Sequence, residues 1–344
     1  MKQIRWGIIG CGNVTEVKSG PAFQKAAGSA LAAVMRRNGA LAEDYARRHG
    51  VSRWYDDADA LIADPAVDAV YVATPVGAHL EMALKVCQAG KPCYVEKPMA
   101  RNATEAQAMV DAFRAARLPL FVAYYRRGLP RFLRAKEIVA AGRLGVLTGV
   151  MYSMNQPLRK DFNPEKPEWR YVAERSGGGL FMDLGSHTLD AIDFVAGPIA
   201  EVAGTACNRA SAYEVEDHVA MHCRFESGAL GTADWNFASA MRTDTIVFVG
   251  TEGRLTLSTF GGEPVCLETP DGREEFDLPN PPHIQQPLVQ SIVDQLLGGG
   301  PCASTGDSAL RTARVMDCVL ESYYAGRSDD FWNRPATWPG RPGR

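Results

Sequence analysis

The stretch GGGLFMDLGSHTLD, from Gly177 to Asp190, combines acid-base side chains with a helical apolar pattern. On a helix, Asp183, His187 and Asp190 stand at positions i, i+4 and i+7 and therefore share one face. Histidine is the side chain whose ordinary pKa lies nearest neutral pH, so this face can take up or release a proton during a reaction. A buried helix with one structural histidine is the alternative, and the spacing alone leaves both interpretations open.

The residues around this stretch predict how the helix is placed. Leu184, Ala191 and Val195 form an adjoining apolar stripe, so we expect one face to address a ligand and the other to pack into the core. The glycines at 177–179 allow the preceding backbone unusual dihedral angles, and Gly197 followed by proline predicts the end of the helix.

A second pattern near the N-terminus is typical of a phosphate-binding turn. The segment GIIGCGNVTEVK places Gly10 and Gly12 between an apolar strand and a helix, where the amides around Asn13 and Val14 can approach a pyrophosphate. The pattern is G-x-G-x-x-T, with Thr15 where a third glycine or alanine would allow the closest helix packing. A tight turn without a ligand is the alternative.

The end of the second strand, AVMRRN, indicates which dinucleotide binds. An NAD site usually has an acidic residue here that takes the ribose hydroxyls, whereas this chain has Arg36 and Arg37. Two guanidinium groups suit a 2′-phosphate, so with the glycines they predict NADP(H) as the preferred cofactor and NAD(H) as the second candidate. A solvated basic turn is the alternative.

Two further strand ends carry polar residues. ATPVGAHLEMA places Thr74 and Pro75 after one strand and His79 in the first turn of the next helix, and YVEKPMA places Glu96 and Lys97 after another. Ligands of open α/β sheets bind outside the carboxyl ends of the strands, so these five residues join the candidates for cofactor binding. An ion pair beside a rigid turn is the alternative for the Glu-Lys-Pro sequence.

The pattern of apolar residues predicts two kinds of sheet. The first third alternates helical patterns with strands buried on both faces, which predicts a parallel, doubly wound α/β sheet; the strands are IRWGIIG, LAAVMRR, VDAVYVATP, PCYVEKP and LFVAYY. After Ala200, period-two runs joined by turns predict a mostly antiparallel sheet. We therefore expect one domain over residues 1–125, a second over 126–330 and a loose tail over 331–344.

The composition limits the class of protein. The chain has 344 residues, is 46% hydrophobic and 22% charged, and carries a net charge of -3, so it lacks the basic excess that nucleic-acid binding requires. No apolar span approaches about 20 residues, which argues against membrane insertion. The N-terminus enters a strand at once and shows no secretory pattern, so we expect a cytoplasmic protein.

Cysteine and histidine spacing predicts no metal site. The eight cysteines are scattered without a CxxC pair, which is typical of reduced core residues. His218 and His222 have the spacing of a helical metal pair, but the alternation in VEDHVAMHCRF favours a strand, on which residues four apart lie about 13 Å apart.

The motifs taken together resemble one family. Gly10-Cys11-Gly12, Ala73-Thr74-Pro75, Glu96-Lys97-Pro98 and the stretch from Gly177 to Asp190, in this order, are similar to the glucose-fructose oxidoreductase/inositol dehydrogenase (Gfo/Idh/MocA) family over nearly the whole chain. The resemblance implies an N-terminal Rossmann domain and a C-terminal α/β substrate domain with a large, mostly antiparallel sheet. It also implies a nicotinamide cofactor and a homodimer or homotetramer formed through that sheet.

The resemblance further implies that Lys97, Asp183 and His187 form the catalytic group. His187 would act as general base in oxidation or general acid in reduction, and Lys97 would stabilise developing alkoxide charge. Asp183 would bind a neighbouring hydroxyl or keep the catalytic group in place. The family usually has alanine or glycine where this chain has Thr15, which puts the geometry of the phosphate turn in question.

Four residues are further candidates for substrate contact. Trp169 and Arg170 precede the glycines and combine an aromatic ring with a guanidinium, which can line a carbohydrate pocket, with structural packing as the alternative. Tyr125 ends another strand, and Asp190 lies on the helix, where it can also cap or pair with an arginine.

Three functions follow from these residues. The first is an NAD(P)-dependent dehydrogenase or reductase acting on a sugar, cyclitol or related polyol. The second uses the cofactor transiently, for elimination or glycoside cleavage. The third is a non-catalytic NADP-binding sensor, against which the presence of Lys97 and His187 counts.

Overall fold

The computed structural model describes residues 3–210 and 212–343. The chain divides into two compact units: unit 1 comprises residues 1–100, 105–129 and 281–310, and unit 2 comprises residues 101–104, 130–280 and 311–344. This division differs from the predicted boundaries, because the chain returns to unit 1 at residue 281 and because the C-terminal residues belong to unit 2.

Unit 1 contains a six-stranded sheet whose paired strands are all parallel. Its strands are β1 (Ile4–Ile9), β2 (Ser29–Met35), β3 (Arg53–Tyr55), β4 (Ala69–Val72), β5 (Cys93–Val95) and β6 (Leu120–Val122). The order β3-β2-β1-β4-β5-β6 reverses between β1 and β4, and such a switch point is where doubly wound sheets bind ligands. The predicted parallel, doubly wound sheet is confirmed. Only β3 escaped prediction, because its sequence RWY is mostly exposed and lacks an apolar run.

Helices connect these strands and cover a core rich in aromatic rings. They are α1 (Asn13–Val17), α2 (Gly20–Lys25), α3 (Gly39–His49), α4 (Ala58–Ala63), α5 (His79–Gln88) and α6 (Ala103–Ala116). The fully buried rings of Phe23 on α2 and Trp6 on β1 have centroids 5.0 Å apart, and Tyr71 on β4 stacks on Tyr94 on β5 at 4.8 Å. These contacts fix α2 and the central strands together.

Unit 2 contains an eight-stranded mixed sheet. Its strands are β7 (Leu147–Asn155), β8 (Ile199–Cys207), β9 (His218–Phe225), β10 (Leu230–Asn236), β11 (Thr243–Gly250), β12 (Arg254–Leu257), β13 (Val265–Thr269) and β14 (Gly272–Phe276). The order is β14-β13-β12-β11-β7-β10-β9-β8, and only the β7–β10 pair is parallel. The mostly antiparallel sheet is therefore confirmed, as is the strand that carries His218 and His222. The sequence missed that the sheet begins before Ala200, with the central strand β7.

Three helices of unit 2 precede β8. They are α7 (Pro130–Ala140), α8 (Ala173–Ser176) and α9 (Ser186–Ala196), and a π-helical turn, Phe181–Gly185, leads directly into α9. Gly197, with φ +91°, ends α9 as predicted.

The last part of the chain forms two long helices and a packed C-terminal segment. The helices are α10 (Gln286–Leu296) and α11 (Gly306–Tyr324). The expectation of a loose tail is wrong, because Phe331 and Trp338 are buried and the Trp338 indole donates to the Phe331 carbonyl at 2.9 Å. Among the described residues, the longest helices are too polar or too short to cross a bilayer.

Candidate active site

In unit 1, the turn after β1 is built around Gly10. Its φ is +90°, and a Cβ there would lie 2.9 Å from both the carbonyl carbon and the oxygen of Ala73. Only glycine therefore lets the exits of β1 and β4 approach so closely. Gly12 is different, since its backbone is extended and its nearest neighbour to a Cβ would be 3.8 Å away. The protein itself thus leaves space beside Gly12.

Thr15 closes this turn from within. Its hydroxyl is fully buried, accepts a hydrogen bond from the Gly12 amide at 2.9 Å and donates to the Gly12 carbonyl at 2.8 Å. Thr15 stands where the family that the sequence resembles usually has glycine or alanine, and its hydroxyl thus engages the Gly12 amide. Asn13 and Val14 open α1, where backbone amides have no acceptor within the helix and can face an anion.

The exit of β4 carries an unusual hydroxyl group. Thr74 Oγ1 is buried and has no hydrogen-bond partner within residues 3–210 and 212–343. The Thr74 amide lies 3.0 Å from where a Cβ on Gly10 would stand, so the hydroxyl belongs to the same switch point. A buried polar group without a partner calls for an explanation, and a bound ligand would supply one. These residues therefore fit the dinucleotide that the sequence predicts.

His79 links two strand exits of unit 1. Its ring is fully buried, with Nε2 2.9 Å from the Thr74 carbonyl and Nδ1 3.1 Å from the Pro98 carbonyl. Burial lowers the pKa of this histidine. Both ring nitrogens face the backbone, so His79 holds the exits of β4 and β5 together, a structural role that the sequence did not reveal.

Glu96 fixes the backbone at Lys97. Its carboxylate accepts hydrogen bonds from the Tyr71 hydroxyl at 2.5 Å, from Gln285 Nε2 at 2.7 Å and from the Lys97 amide at 3.1 Å. Gln285 also accepts from the Tyr94 hydroxyl at 2.8 Å and is only 1% exposed. Glu96 is a predicted cofactor ligand, but its carboxylate accepts hydrogen bonds from donors of the protein itself. Gln285 lies 189 residues away from Glu96 in the sequence, and no local pattern could have predicted that the two side chains meet.

The two arginines after β2 are exposed. Arg36 is held through its backbone amide, which donates to the Tyr55 carbonyl at 3.1 Å, and Asn38 caps α3 by accepting from the Leu41 amide. Among the described residues, neither the Arg36 nor the Arg37 guanidinium makes a hydrogen bond or ion pair with another side chain. Both are therefore accessible to an anionic ligand.

Tyr125 lies just after β6, also in unit 1. Its side chain is 8% exposed, and the Arg126 guanidinium lies 5.0 Å from the centre of its ring. Burial leaves only a small part of this predicted substrate contact accessible.

In unit 2, the glycine triplet is packed against other backbone. A Cβ on Gly177, whose φ is +80°, would lie 2.5 Å from the Arg101 carbonyl oxygen, and one on Gly179 would lie 2.5 Å from the Glu216 carbonyl oxygen. The expected unusual dihedral angles occur at Gly177 and Gly178, and the close approach of other backbone is a further reason for glycine here.

A buried carboxylate holds the same turn. Glu216 accepts hydrogen bonds from the Gly179 amide at 2.8 Å and from the Tyr324 hydroxyl, and it is fully buried. Burial raises the pKa of the Glu216 carboxyl. The backbone that leads into the acid-base stretch is therefore fixed from the segment just before β9 and, through Tyr324, from the end of α11.

The acid-base stretch is not one regular α-helix. Asp183 lies in the π-helical turn and His187 in the first turn of α9. A π-turn inserts extra backbone, so the predicted face of a single α-helix is wrong in detail. Such turns often occur at functional sites.

The residues of α9 from Ser186 to Val195 are all buried, so the polar side chains of this helix lie beneath the surface. Asp190 is fully buried as well, and its contact with a substrate stays a prediction. Asp193, which the sequence did not single out, pairs with Arg311 through two hydrogen bonds of 2.8 and 2.7 Å.

Arg170 orients Asp183. Its Nε donates to Asp183 Oδ2 at 2.6 Å, its Nη1 donates to Glu168 at 3.1 Å, and its guanidinium lies 4.6 Å from the Trp169 ring centre. The Asp183 side chain is 10% exposed. Arg170, a predicted substrate contact, is thus committed to a carboxylate of the predicted catalytic group.

His187 is 3% exposed, and its ring lies beside Phe260. The two ring centres are 6.0 Å apart and their planes meet at 78°. Phe260 follows β12 and gave no signal in the sequence, because a single aromatic in a loop has no pattern.

The site residues thus form two groups, each within its own unit. Unit 1 brings together the Gly10 turn, Thr74, His79, Glu96 and the backbone of Lys97, which suit a dinucleotide. Unit 2 brings together Arg170, Asp183, His187 and Phe260, which suit proton transfer and the binding of hydroxyl groups.

Comparison with known proteins agrees with both groups. The family model described as an oxidoreductase family with an NAD-binding Rossmann fold matches residues 4–124, and the GFO/IDH/MocA C-terminal domain model matches residues 132–256. Oxidoreductase P35 of Formosa agariphila is 35% identical over 318 residues, which cover 92% of this chain and 98% of the relative. The 1,5-anhydro-D-fructose reductase of Ensifer adhaerens is 27% identical and covers 95% of this chain and 98% of its own.

A solved structure extends the similarity to the fold. An oxidoreductase from Agrobacterium radiobacter, in complex with NAD⁺, L-tartaric acid and magnesium, superposes with a TM-score of 0.81 at 26% identity and covers 93% of this chain and 96% of its own. With both family models matched in order and a relative similar over nearly its full length, this chain belongs to the Gfo/Idh/MocA family of NAD(P)-dependent oxidoreductases.

Proposed function

We propose that this enzyme prefers NADP(H) and transfers a hydride between the nicotinamide and a carbon that bears a hydroxyl or carbonyl group in a sugar, cyclitol or related polyol. The observation that carries the proposal is the arrangement of Asp183 and His187 in unit 2. Arg170 Nε donates to Asp183 Oδ2 at 2.6 Å and orients this carboxylate, and His187 follows in the first turn of α9. The relative that reduces 1,5-anhydro-D-fructose by name supports a sugar-like substrate.

Each residue of the catalytic group has one task in this proposal. The bound nicotinamide supplies the hydride chemistry. In oxidation, the His187 imidazole takes the proton of the substrate hydroxyl, and in reduction it returns a proton. The Lys97 ammonium donates a hydrogen bond to the same oxygen and stabilises its developing negative charge. Asp183 accepts a hydrogen bond from a neighbouring hydroxyl, and Arg170 keeps that carboxylate in place.

The cofactor preference rests on Arg36 and Arg37. Both guanidinium groups are exposed and unengaged by described side chains, and a 2′-phosphate would give them a charged partner. NAD(H) is the second candidate, as the A. radiobacter relative was crystallised with NAD⁺. Titration of the protein with NADPH and NADH, followed by fluorescence, measures the preference directly.

Assays with both oxidised and both reduced cofactors test the reaction itself. A panel of aldoses, ketoses, cyclitols and open-chain polyols should include substrates that reduce NADP⁺ stoichiometrically. Turnover of a glycoside without net change of nicotinamide absorbance would instead favour the transient use of the cofactor. Cofactor binding without turnover of any panel member would favour a sensor.

We also propose that the chain forms a homodimer or homotetramer through the unit 2 sheet. On that sheet Met151 is 49% exposed and Leu230 is 63% exposed, and a covered face would remove these side chains from water. Light scattering coupled to size-exclusion chromatography tests this state.

A further inference from the structure

Phe260 is an exposed aromatic ring beside a buried histidine. It retains 37% of its accessible surface, whereas His187 retains 3%, and their ring centres lie 6.0 Å apart. The planes are nearly perpendicular at 78°, so the two rings meet edge to face. A molecule that reaches His187 within unit 2 therefore meets an aromatic surface next to it.

The backbone that carries Phe260 is firmly anchored. Asp244 accepts hydrogen bonds from the Phe260 amide at 2.6 Å, from the Thr259 amide at 3.1 Å and from the Tyr152 hydroxyl at 3.1 Å. One carboxylate on β11 thus fixes two consecutive amides of the loop and ties them to β7. A ring on such a loop is already in place before a ligand binds, which lowers the entropic cost of using it.

A second set of contacts holds the rest of the loop. Ser258 donates to the Glu263 carboxylate at 2.8 Å, and the buried Arg131 on α7 donates to Ser258 at 3.1 Å and to the Glu263 carbonyl at 2.7 Å. Both sides of Phe260 are therefore attached to the body of unit 2.

The loop is also tied to the histidine. Thr188 directly follows His187 on α9, is fully buried and donates a hydrogen bond to the Thr259 hydroxyl at 3.3 Å. Thr188 and Thr259 thus join α9 to the loop next to the two rings, which holds the Phe260 ring beside the His187 ring.

We propose that Phe260 is a specificity-determining residue that selects cyclic substrates, in that a sugar or cyclitol ring places its C–H face on Phe260 while one of its hydroxyls reaches His187. This proposal rests on the proposed function and adds to it the substrate class. A six-membered ring presents several C–H bonds on one face at once, so it covers an aromatic ring without further ordering. An open-chain polyol must freeze several torsions to present the same surface, which costs binding free energy.

The test compares variants at this position on two kinds of substrate. Phe260→Ala removes the ring, Phe260→Leu keeps apolar bulk without a ring, and Phe260→Trp restores a ring. Met241→Ala is the matched control, because Met241 is a 73% exposed apolar side chain of the same unit. D-Glucose and myo-inositol represent cyclic compounds, and D-glucitol represents open-chain ones.

We expect Phe260→Ala to lower kcat/KM for cyclic substrates by about tenfold, mainly by raising KM. The kcat/KM for open-chain substrates should change by less than about twofold. Phe260→Leu should resemble the alanine variant, whereas Phe260→Trp and the control should stay near wild type. Equal losses on both kinds of substrate, or no loss on cyclic ones, would overturn the proposal.

Equilibrium binding separates this proposal from the proposed function. Calorimetric titration of the NADP⁺-loaded protein with myo-inositol should show affinity that Phe260→Ala lowers by about tenfold, whether or not turnover occurs. Such a difference in affinity without oxidation of any substrate would contradict the proposed function and still support the role of Phe260 in binding cyclic compounds. Equal affinities of wild type and Phe260→Ala in an active enzyme would contradict the role of Phe260 alone.

Discussion

The Arg170 guanidinium donates to the Asp183 carboxylate at 2.6 Å from a turn only a few residues before the glycine triplet. This hydrogen bond is charge-assisted and its acceptor is nearly buried, so it should fix the carboxylate more firmly than a surface pair would.

We therefore expect Arg170→Ala to lower kcat/KM by roughly ten- to a hundredfold, since a loss of about 1.5–3 kcal/mol is typical for a hydrogen bond to a charged group. Arg170→Lys should recover part of this loss, because it keeps the charge but not the planar geometry. Arg159→Ala is the control, because Arg159 pairs with Asp161 and Glu168 in the same loop. Equal effects of Arg170→Ala and Arg159→Ala would remove the orienting role.

The second prediction concerns His187 and Lys97. Each alanine variant should lower kcat by about a hundred- to ten-thousandfold, the range typical for a general acid-base group or an oxyanion-stabilising donor. Cofactor binding should survive in His187→Ala, as measured by nicotinamide fluorescence. His222→Ala, on the exposed face of β9, should behave like wild type. Near-normal turnover of either site variant would remove that residue from the mechanism.

The third prediction separates the two cofactors. Replacing both Arg36 and Arg37 by alanine should weaken NADPH binding by about ten- to a hundredfold and leave NADH within about twofold, because only NADPH carries the 2′-phosphate. Arg47→Ala provides a control, since Arg47 is exposed on α3 and pairs with Asp44. Losses of equal size for both cofactors would contradict the phosphate interpretation.

The fourth prediction is a pH dependence of stability. Because burial raises the pKa of Glu216, the folded chain holds this proton to higher pH than the unfolded chain does. The stabilisation is fully present below the ordinary carboxyl pKa and is lost as the pH rises through the folded value. Glu216→Gln does not titrate, so the unfolding free energy of wild type minus that of the variant should fall as the pH rises above the ordinary carboxyl pKa of about 4.3.

Urea unfolding at a series of pH values measures this difference. Glu214→Gln, two residues earlier and exposed, serves as the matched control. A difference that stays constant with pH would mean that Glu216 does not titrate differently in the two states.

The fifth prediction uses two neighbouring glycines. Gly10→Ala should lower the unfolding free energy by about 1–3 kcal/mol, because it combines a positive φ with a Cβ that would press on Ala73. Gly12→Ala should cost less, because its backbone is extended and its Cβ would make only an ordinary contact, 3.8 Å from the Gly10 carbonyl oxygen. Denaturant unfolding without cofactor compares them, and equal losses would contradict the close approach of the two strand exits.

Local patterns in the sequence predicted candidate site residues at positions where short-range physics leaves a signature. Strand ends, glycine turns and helix spacing located Gly10, Thr74, Lys97, Asp183 and His187, because buried strands and tight turns leave short signatures.

The partners that orient those residues could not be predicted in the same way. Gln285 reaches Glu96 across 189 positions, and Phe260 lies 73 positions after His187 in an irregular loop. The π-turn at Asp183 has no sequence signature either, since it differs from α-helix only by one added residue of backbone. Such contacts depend on tertiary packing, which periodicity does not encode.

The discontinuity of unit 1 also governs how the chain matures during synthesis. Residues 281–310 complete this unit, where Ser304 donates to the Val122 carbonyl at 2.6 Å and Gln285 donates to Glu96. At roughly 5–20 residues per second, a ribosome adds that segment several seconds to about half a minute after Leu129. The strand that leads to Lys97 is thus made early, but its buried glutamate acquires its glutamine partner only when most of the chain has emerged.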